Sequence, residues 1–255
     1  MMRLSAIALN TVREAIRDKA LHSILFFAAL LLLVSLAMKE ISIGDTEKVV
    51  RGVAMGGISM TGGIIAIFLG VGLVYKEIER KTVYTLASKP IPRWQLLLGK
   101  YLGLWLTLLI EVVILGVMYT IIVGSQQGLP SMGIYTALGL LMMELTLVTA
   151  WATLFSTFAS PMTASAYSLC IYLIGHFTDD LAQFGEASKD PSFKQLASIL
   201  YRVLPNLEVF NVRAAAIHGI AVPAGEVAWA VAYGLGYTAL VLVVAMLVFE
   251  RRDFK

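Results

Sequence analysis

Six long apolar runs divide the sequence, at about 22–38, 52–75, 101–123, 133–158, 162–178 and 227–249. A helix needs about 20 residues to cross a ~30 Å hydrocarbon core, and these runs fall within the usual range or at its short end. Each predicts a membrane-spanning helix. Only Ala159-Ser160-Pro161 parts the fourth run from the fifth. Proline cannot continue a helix and serves well as the first residue of a new one, so the tripeptide predicts a tight hairpin. The chain reads as one all-α, polytopic membrane domain over residues 1–255, with no soluble domain and no internal repeat.

The polar intervals are as patterned as the apolar ones. Residues 3–20 set Leu4, Ile7, Val12 and Ile16 against Arg3, Arg13, Arg17, Asp18 and Lys19, which predicts an amphipathic helix lying in the membrane interface. A cleavable leader is the competing reading, but it calls for a short basic start, whereas Glu14 and Asp18 also precede the first apolar run. Farther on, Asp190-Pro191 marks the start of a helix with Phe193, Leu196, Leu200 and Leu204 on one face, and Pro205 closes it. Asn206 caps a second short helix ending before Gly219. These elements, about 191–218, predict amphipathic helices between the fifth and sixth spans.

The stretch Tyr75–Gly103 stands apart. It holds Lys76, Arg80, Lys81, Lys89, Arg93 and Lys100 against only Glu77 and Glu79. Tyr75, Ile78, Val83 and Leu86 fall roughly on one face, and Glu77 stands four residues before Lys81. Residues 76–88 therefore predict a short helix along the membrane surface. Lys89-Pro90-Ile91-Pro92 stops it, and Pro92 is placed to open the next helix. From Pro92 to Val123 that helix would run ~48 Å at 1.5 Å per residue. Arg93, Trp94 and Lys100 are expected to anchor its end among the headgroups. A short charged helix, a proline break and a basic re-entry into an apolar run make a handle that another protein can grip. The plainer alternative is a basic loop that only sets orientation.

Composition agrees with a lipid environment. Hydrophobic residues make up 58% of the chain and charged residues 15%, with a mean hydropathy of +0.81. A soluble domain carries about 25% charge. The net charge of +3 is scattered, which argues against nucleic acid as a partner. Thirteen of the twenty Lys and Arg fall in the N-terminal helix, the handle and the C-terminal tail, against seven in the alternate intervals. By the positive-inside rule both termini and the handle are then cytoplasmic. The single cysteine, Cys170, excludes a disulfide framework and a Cys-based zinc site, and reads as a small buried hydrophobe.

Few residues invite chemistry. Glu111 and Glu144 lie near the middles of the third and fourth spans, where a charge costs at least ~2.5 kcal/mol. They read either as the polar lining of a route or proton relay, or as structural carboxyls bonded to a neighbouring Ser, Thr or Tyr. His176 and Asp180 are four apart, a spacing that metal ligands share, with Asp179 beside them; two ligands do not make a site. His22 and His218 read as interfacial residues. Gly52, Gly56, Gly57, Gly62, Gly63, Gly70 and Gly72 crowd the second span, and Gly52/Gly56 and Gly99/Gly103 each form a small-xxx-small pair suited to close helix packing. No phosphate-binding loop, HExxH, GxSxG or CxxC occurs, so the chain is not expected to be an enzyme.

The handle resembles that of the membrane subunits of ABC-2-type exporters, and is similar above all to the group tied to multi-copper enzyme and nitrous oxide reductase maturation. The resemblance rests on Glu77, Glu79, Arg80, Thr82, Leu86, Ser88, Pro90, Arg93, Gly99 and Lys100, and on the N-terminal stretch NTVREAIRDKAL. One departure is Lys81, where the pattern commonly has Gly. The resemblance implies that 76–88 is a coupling helix seated in a separate ATPase subunit, with ATP and Mg bound there and no cofactor in this chain. It implies two ATPases and two permeases per transporter, the second permease being a copy or a homologue, and a location in the cell inner membrane. Two other readings stay open: a proton-driven transporter using Glu111 and Glu144, and a membrane anchor that only docks a soluble partner.

Overall fold

The structure, a computed structural model, describes residues 2–41, 45–79 and 92–251. Among these residues the regular structure is entirely helical: α1 (Met2–Ile16), α2 (Lys19–Ile41), α3 (Thr46–Glu79), α4 (Arg93–Gln127), α5 (Met132–Ser156), α6 (Pro161–His176), α7 (Thr178–Ala187), α8 (Pro191–Val203), a 3-10 turn at Glu208–Phe210, α9 (Arg213–Ile217) and α10 (Ala224–Arg251). Four of the described helices, α3, α4, α5 and α10, are long and apolar enough to cross a membrane; α1 and α2, bent by 63° at their junction, add a fifth candidate if counted as one span. The fifth apolar run forms α6, whose 16 residues reach ~24 Å at 1.5 Å per residue, short of the core thickness. Its limits are chemical. Ser160 caps it by accepting from Thr163 N–H, Pro161 is its first residue, and the helix breaks at Phe177 (φ −105, ψ 12) before α7 begins.

Contacts between the helices give the bundle two distinct ends. At one, Ile7 of α1 lies against Gly99 of α4, and the Arg93 guanidinium donates to the Glu250 carbonyl of α10 at 3.3 Å. The first and last helices therefore meet at the start of α4. At the other end, Gly133 of α5 lies against Ala216 of α9, Gly52 of α3 faces Ile217, and α10 begins. Buried Leu, Ile and Ala side chains of α2, α3, α4, α5 and α10 fill the space between the two ends.

Glycine decides how closely some of these helices approach. A Cβ on Gly70 would stand 2.6 Å from the Ala152 Cβ, and one on Gly63 would stand 2.7 Å from Tyr172 Cζ. The pair Gly99/Gly103 admits α1: a Cβ at Gly103 would meet the Ala8 carbonyl oxygen and Thr11 Cβ, both at 2.6 Å. Close packing thus holds for this pair but not for Gly52/Gly56. Gly56 has no neighbour within 4 Å of such a Cβ, and Gly52 has only Ile217 at 3.9 Å.

Three other expectations change. Lys100 is 8% exposed instead of reaching the headgroups, because α1 closes over the glycine on either side of it. Pro92 precedes α4 as its cap residue (φ −61, ψ 141), and the helix starts at Arg93. Cys170 is exposed, since the buried face of α6 runs through Ala164, Ser168 and Gly175 and Cys170 points away from it.

Candidate functional site

The handle joins the two longest helices. α3 continues unbroken from Thr46 to Glu79 over 34 residues, and α4 takes up again at Arg93 for 35, each ~50 Å long. Glu77 and Glu79 thus lie on the last turn of α3, so the first residues of the expected 76–88 helix prolong the second span. Arg80, Thr82, Leu86, Ser88 and Pro90 lie outside the described residues. Arg93 is placed: its bond to Glu250 occupies one of the carbonyls left over where a helix ends. Beside it, Thr11, Glu14 and Ala15 of α1, Phe68, Leu69 and Gly72 of α3, and Lys100 and Leu104 of α4 enclose a cavity of about 30 Å³. The handle end of the bundle is therefore a three-helix joint around a buried lysine.

α4 is in turn fastened to α5. Tyr101 donates its hydroxyl to the Thr146 carbonyl at 2.9 Å, and Trp105 Nε1 donates to Thr146 Oγ1 at 3.0 Å. Farther along α4, Glu111 is 2% exposed and neither carboxyl oxygen accepts a hydrogen bond from a described residue.

Glu144 differs. It is 1% exposed on α5, and its Oε1 stands 3.2 Å from His176 Nε2 at the end of α6. The distance is that of an ion pair, without the alignment of a full hydrogen bond. The other ring nitrogen, Nδ1, lies 2.9 Å from the Tyr172 carbonyl oxygen. The Tyr172 ring packs edge-on against His176, with centroids 4.7 Å apart, and lies over Gly63 of α3. Glu144 and Glu111 are not brought together by any described contact. The shared helix face read for His176 and Asp180 is lost because the chain breaks between them: His176 ends α6 and Asp180 belongs to α7. Asp179 instead accepts from Asn206 Nδ2 at 2.7 Å.

That last bond opens a polar chain along the far end. Asn206 Oδ1 accepts from the Glu208 amide at 2.9 Å, two residues on, and Asn206 N–H donates to the Tyr233 hydroxyl of α10. Asn211 Nδ2 donates to Glu208 Oε1 and Arg213 Nε donates to Asn211 Oδ1. The segment is pinned from below by Leu207 N–H to the Gly175 carbonyl, 2.9 Å, with Phe210 lying over Gly234 of α10. Asp190 caps α8 by accepting from Ser192 N–H. The apolar face of α8 is open: Phe193, Leu196, Ile199 and Val203 are exposed. Beyond α9 a cavity of about 430 Å³ is lined by Asp45, Glu47, Lys48, Arg51 and His218. Its charges are paired within α3's first turns, Lys48 to Asp45 at 2.6 Å and Arg51 to Glu47 at 3.5 Å, and the Lys48 ammonium holds the Asp45 carboxyl below its ordinary range.

His176 is the residue that the reading of the sequence did not pair correctly. A signal existed, because two ionisable groups in apolar runs each need a partner when buried. No protein of curated function matches the sequence. The family model described as ABC-2 family transporter protein matches residues 5–254. A lipid-suited helical bundle, with a charged segment joining its two longest helices, thus meets a match over nearly the whole sequence: the chain belongs to the ABC-2 family of transporter proteins.

Proposed function

We propose that this protein is the permease subunit of an ABC exporter, which turns ATP hydrolysis on a separate ATPase into outward movement of a substrate. The observation that carries the reading is the position of the handle between the two ~50 Å helices α3 and α4. A rigid-body push on residues 76–88 would travel along both helices to the far end. The joint of α1, Lys100 and the Gly99/Gly103 notch braces the same point, so the push would also reach α2. ATP and Mg belong to the ATPase; this chain supplies the path and the lever.

In this reading the chain crosses the membrane six times. α6 with the α7 segment makes the fifth passage, and both termini and the handle are cytoplasmic. The meeting of α1, Arg93 and Glu250 at one end supports a common side for the two termini. Two such permeases, identical or homologous, flank the substrate path with two ATPases beneath them in the cell inner membrane. Within the family, the resemblance of the handle residues supports a kinship with the multi-copper enzyme and nitrous oxide reductase maturation group. Reversing Glu77 and Glu79 to Lys tests the reading. The protein should insert and fold while the ATPase dissociates or hydrolyses ATP uncoupled. Unchanged ATPase binding and transport would refute the assignment of the handle.

A further inference from the structure

We propose that Glu144 and His176 form a proton-binding site that holds the end of α6 on α5 while it is occupied and releases it when empty. The inference goes beyond the exporter reading and does not depend on the handle. It begins with the Tyr172 carbonyl, 2.9 Å from His176 Nδ1. A carbonyl oxygen only accepts, so Nδ1 carries a hydrogen in every charge state of the ring. All change is thereby confined to Nε2, the atom 3.2 Å from Glu144 Oε1.

The states of the pair follow. With one proton between them, either an imidazolium N–H faces a carboxylate or a carboxylic O–H faces a bare nitrogen, and both are attractive. A second proton leaves an N–H donor facing the acid's oxygen. Losing the last proton sets a nitrogen lone pair against a carboxylate, with no donor between them. Glu144 is 1% exposed and the His176 side chain 19%, so water cannot easily take the donor's place and the proton leaves by way of His176. Contact is therefore kept while the pair holds its proton and lost when the last proton leaves.

Among the described residues the side chain that pairs with Glu144 is His176, while the Tyr172 hydroxyl lies within the field of the carboxylate. From α3, Gly63 presents backbone to Tyr172, and Ser59 stands beside the Tyr172 hydroxyl. Arg213 of α9 acts on His176 and Tyr172 through its field, and its Nε donates to Asn211 Oδ1 at 2.7 Å. Asp179 of α7 is bonded to Asn206, and Tyr233 of α10 accepts from the Asn206 amide. What the pair holds is significant mechanically. His176 is the last residue of α6, where the chain breaks, and the neighbouring Gly175 carbonyl receives the Leu207 amide that pins the far-end segment. Proton release would loosen α6 from α5 and the 205–210 segment with it.

Hydrogen–deuterium exchange on the full chain in lipid nanodiscs tests this, with protection factors corrected for intrinsic rates. The range from about pH 5 to about pH 9.5 covers imidazole titration beside a carboxylate. The reporters are the amides of Phe177, Leu181 and Leu207, and amides in the middle of α4 serve as the folding control. In the wild type the reporters should lose at least tenfold in protection as pH rises while α4 stays protected. Glu144→Gln should remain protected throughout, because its amide N–H donates to Nε2 as the protonated acid does. His176→Leu should give reporters without pH dependence. A wild type that shows no pH dependence, or a Glu144→Gln variant that keeps it, would overturn the proposal.

Discussion

Gly103 carries a quantitative test of how α1 is held. Replacing it with alanine would put a Cβ 2.6 Å from the Ala8 carbonyl oxygen and 2.6 Å from Thr11 Cβ. Carbon atoms sit comfortably at about 3.5–4.0 Å, so α1 must retreat by about 1 Å, and a backbone atom cannot rotate out of the way. Overpacking of this kind costs about 1–3 kcal/mol, while Gly→Ala in a helix returns up to about 1 kcal/mol. The net expectation for Gly103→Ala is a loss of about 0–2 kcal/mol. At Gly99 the neighbour is Ile7, with Cγ2 at 2.9 Å; that side chain is β-branched and stiff, so the effect should have the same sign but be smaller. Gly56→Ala, with nothing within 4 Å, should be neutral or stabilise by up to about 1 kcal/mol. Denaturant unfolding in mixed micelles measures all three. Trypsin cleavage at Arg17 and Lys19, at the junction of α1 and α2, reports whether α1 has come loose. If Gly103→Ala and Gly56→Ala unfold alike and are cut alike, the docking of α1 on α4 is wrong.

Other outcomes follow from the same contacts. Tyr101→Phe removes a buried bond to the Thr146 carbonyl and should cost about 0.5–1.5 kcal/mol in the same unfolding assay; no change would mean that α4 and α5 are not fastened there. For topology, Cys170 is first replaced by Ala, because it is exposed. An impermeant maleimide should then label Ser125→Cys from outside the cell and Ser88→Cys only after permeabilisation. The reverse pattern would invert the bundle.

Much of the fold was legible because local chemistry set it. Ser160-Pro161 and Asp190-Pro191 start helices at the residues where they should, since a side-chain cap followed by proline depends on neighbours in sequence alone. The start of α4 at Arg93, directly after Pro92, was likewise readable from the prolines that precede it. What escaped the sequence is set by partners far along the chain. Gly52/Gly56 and Gly99/Gly103 have the same spacing, yet only the second receives a helix, and that helix is α1, some ninety residues earlier. Lys100 was assigned to the headgroups for the same reason: nothing near it in sequence tells that α1 covers it. His176 was matched with Asp180 by helical periodicity, which ceases to apply where α6 breaks at Phe177; its partner Glu144 lies 32 residues away on α5.

The central claim is that the handle grips an ATPase, and the most direct measurement is to purify the tagged protein gently from its own host and identify what accompanies it. The account predicts a stoichiometric subunit carrying a phosphate-binding loop, present with the wild type and absent once Glu77 and Glu79 are reversed to Lys. A chain that purifies without any ATPase, or one whose ATPase stays bound after both reversals, would contradict it.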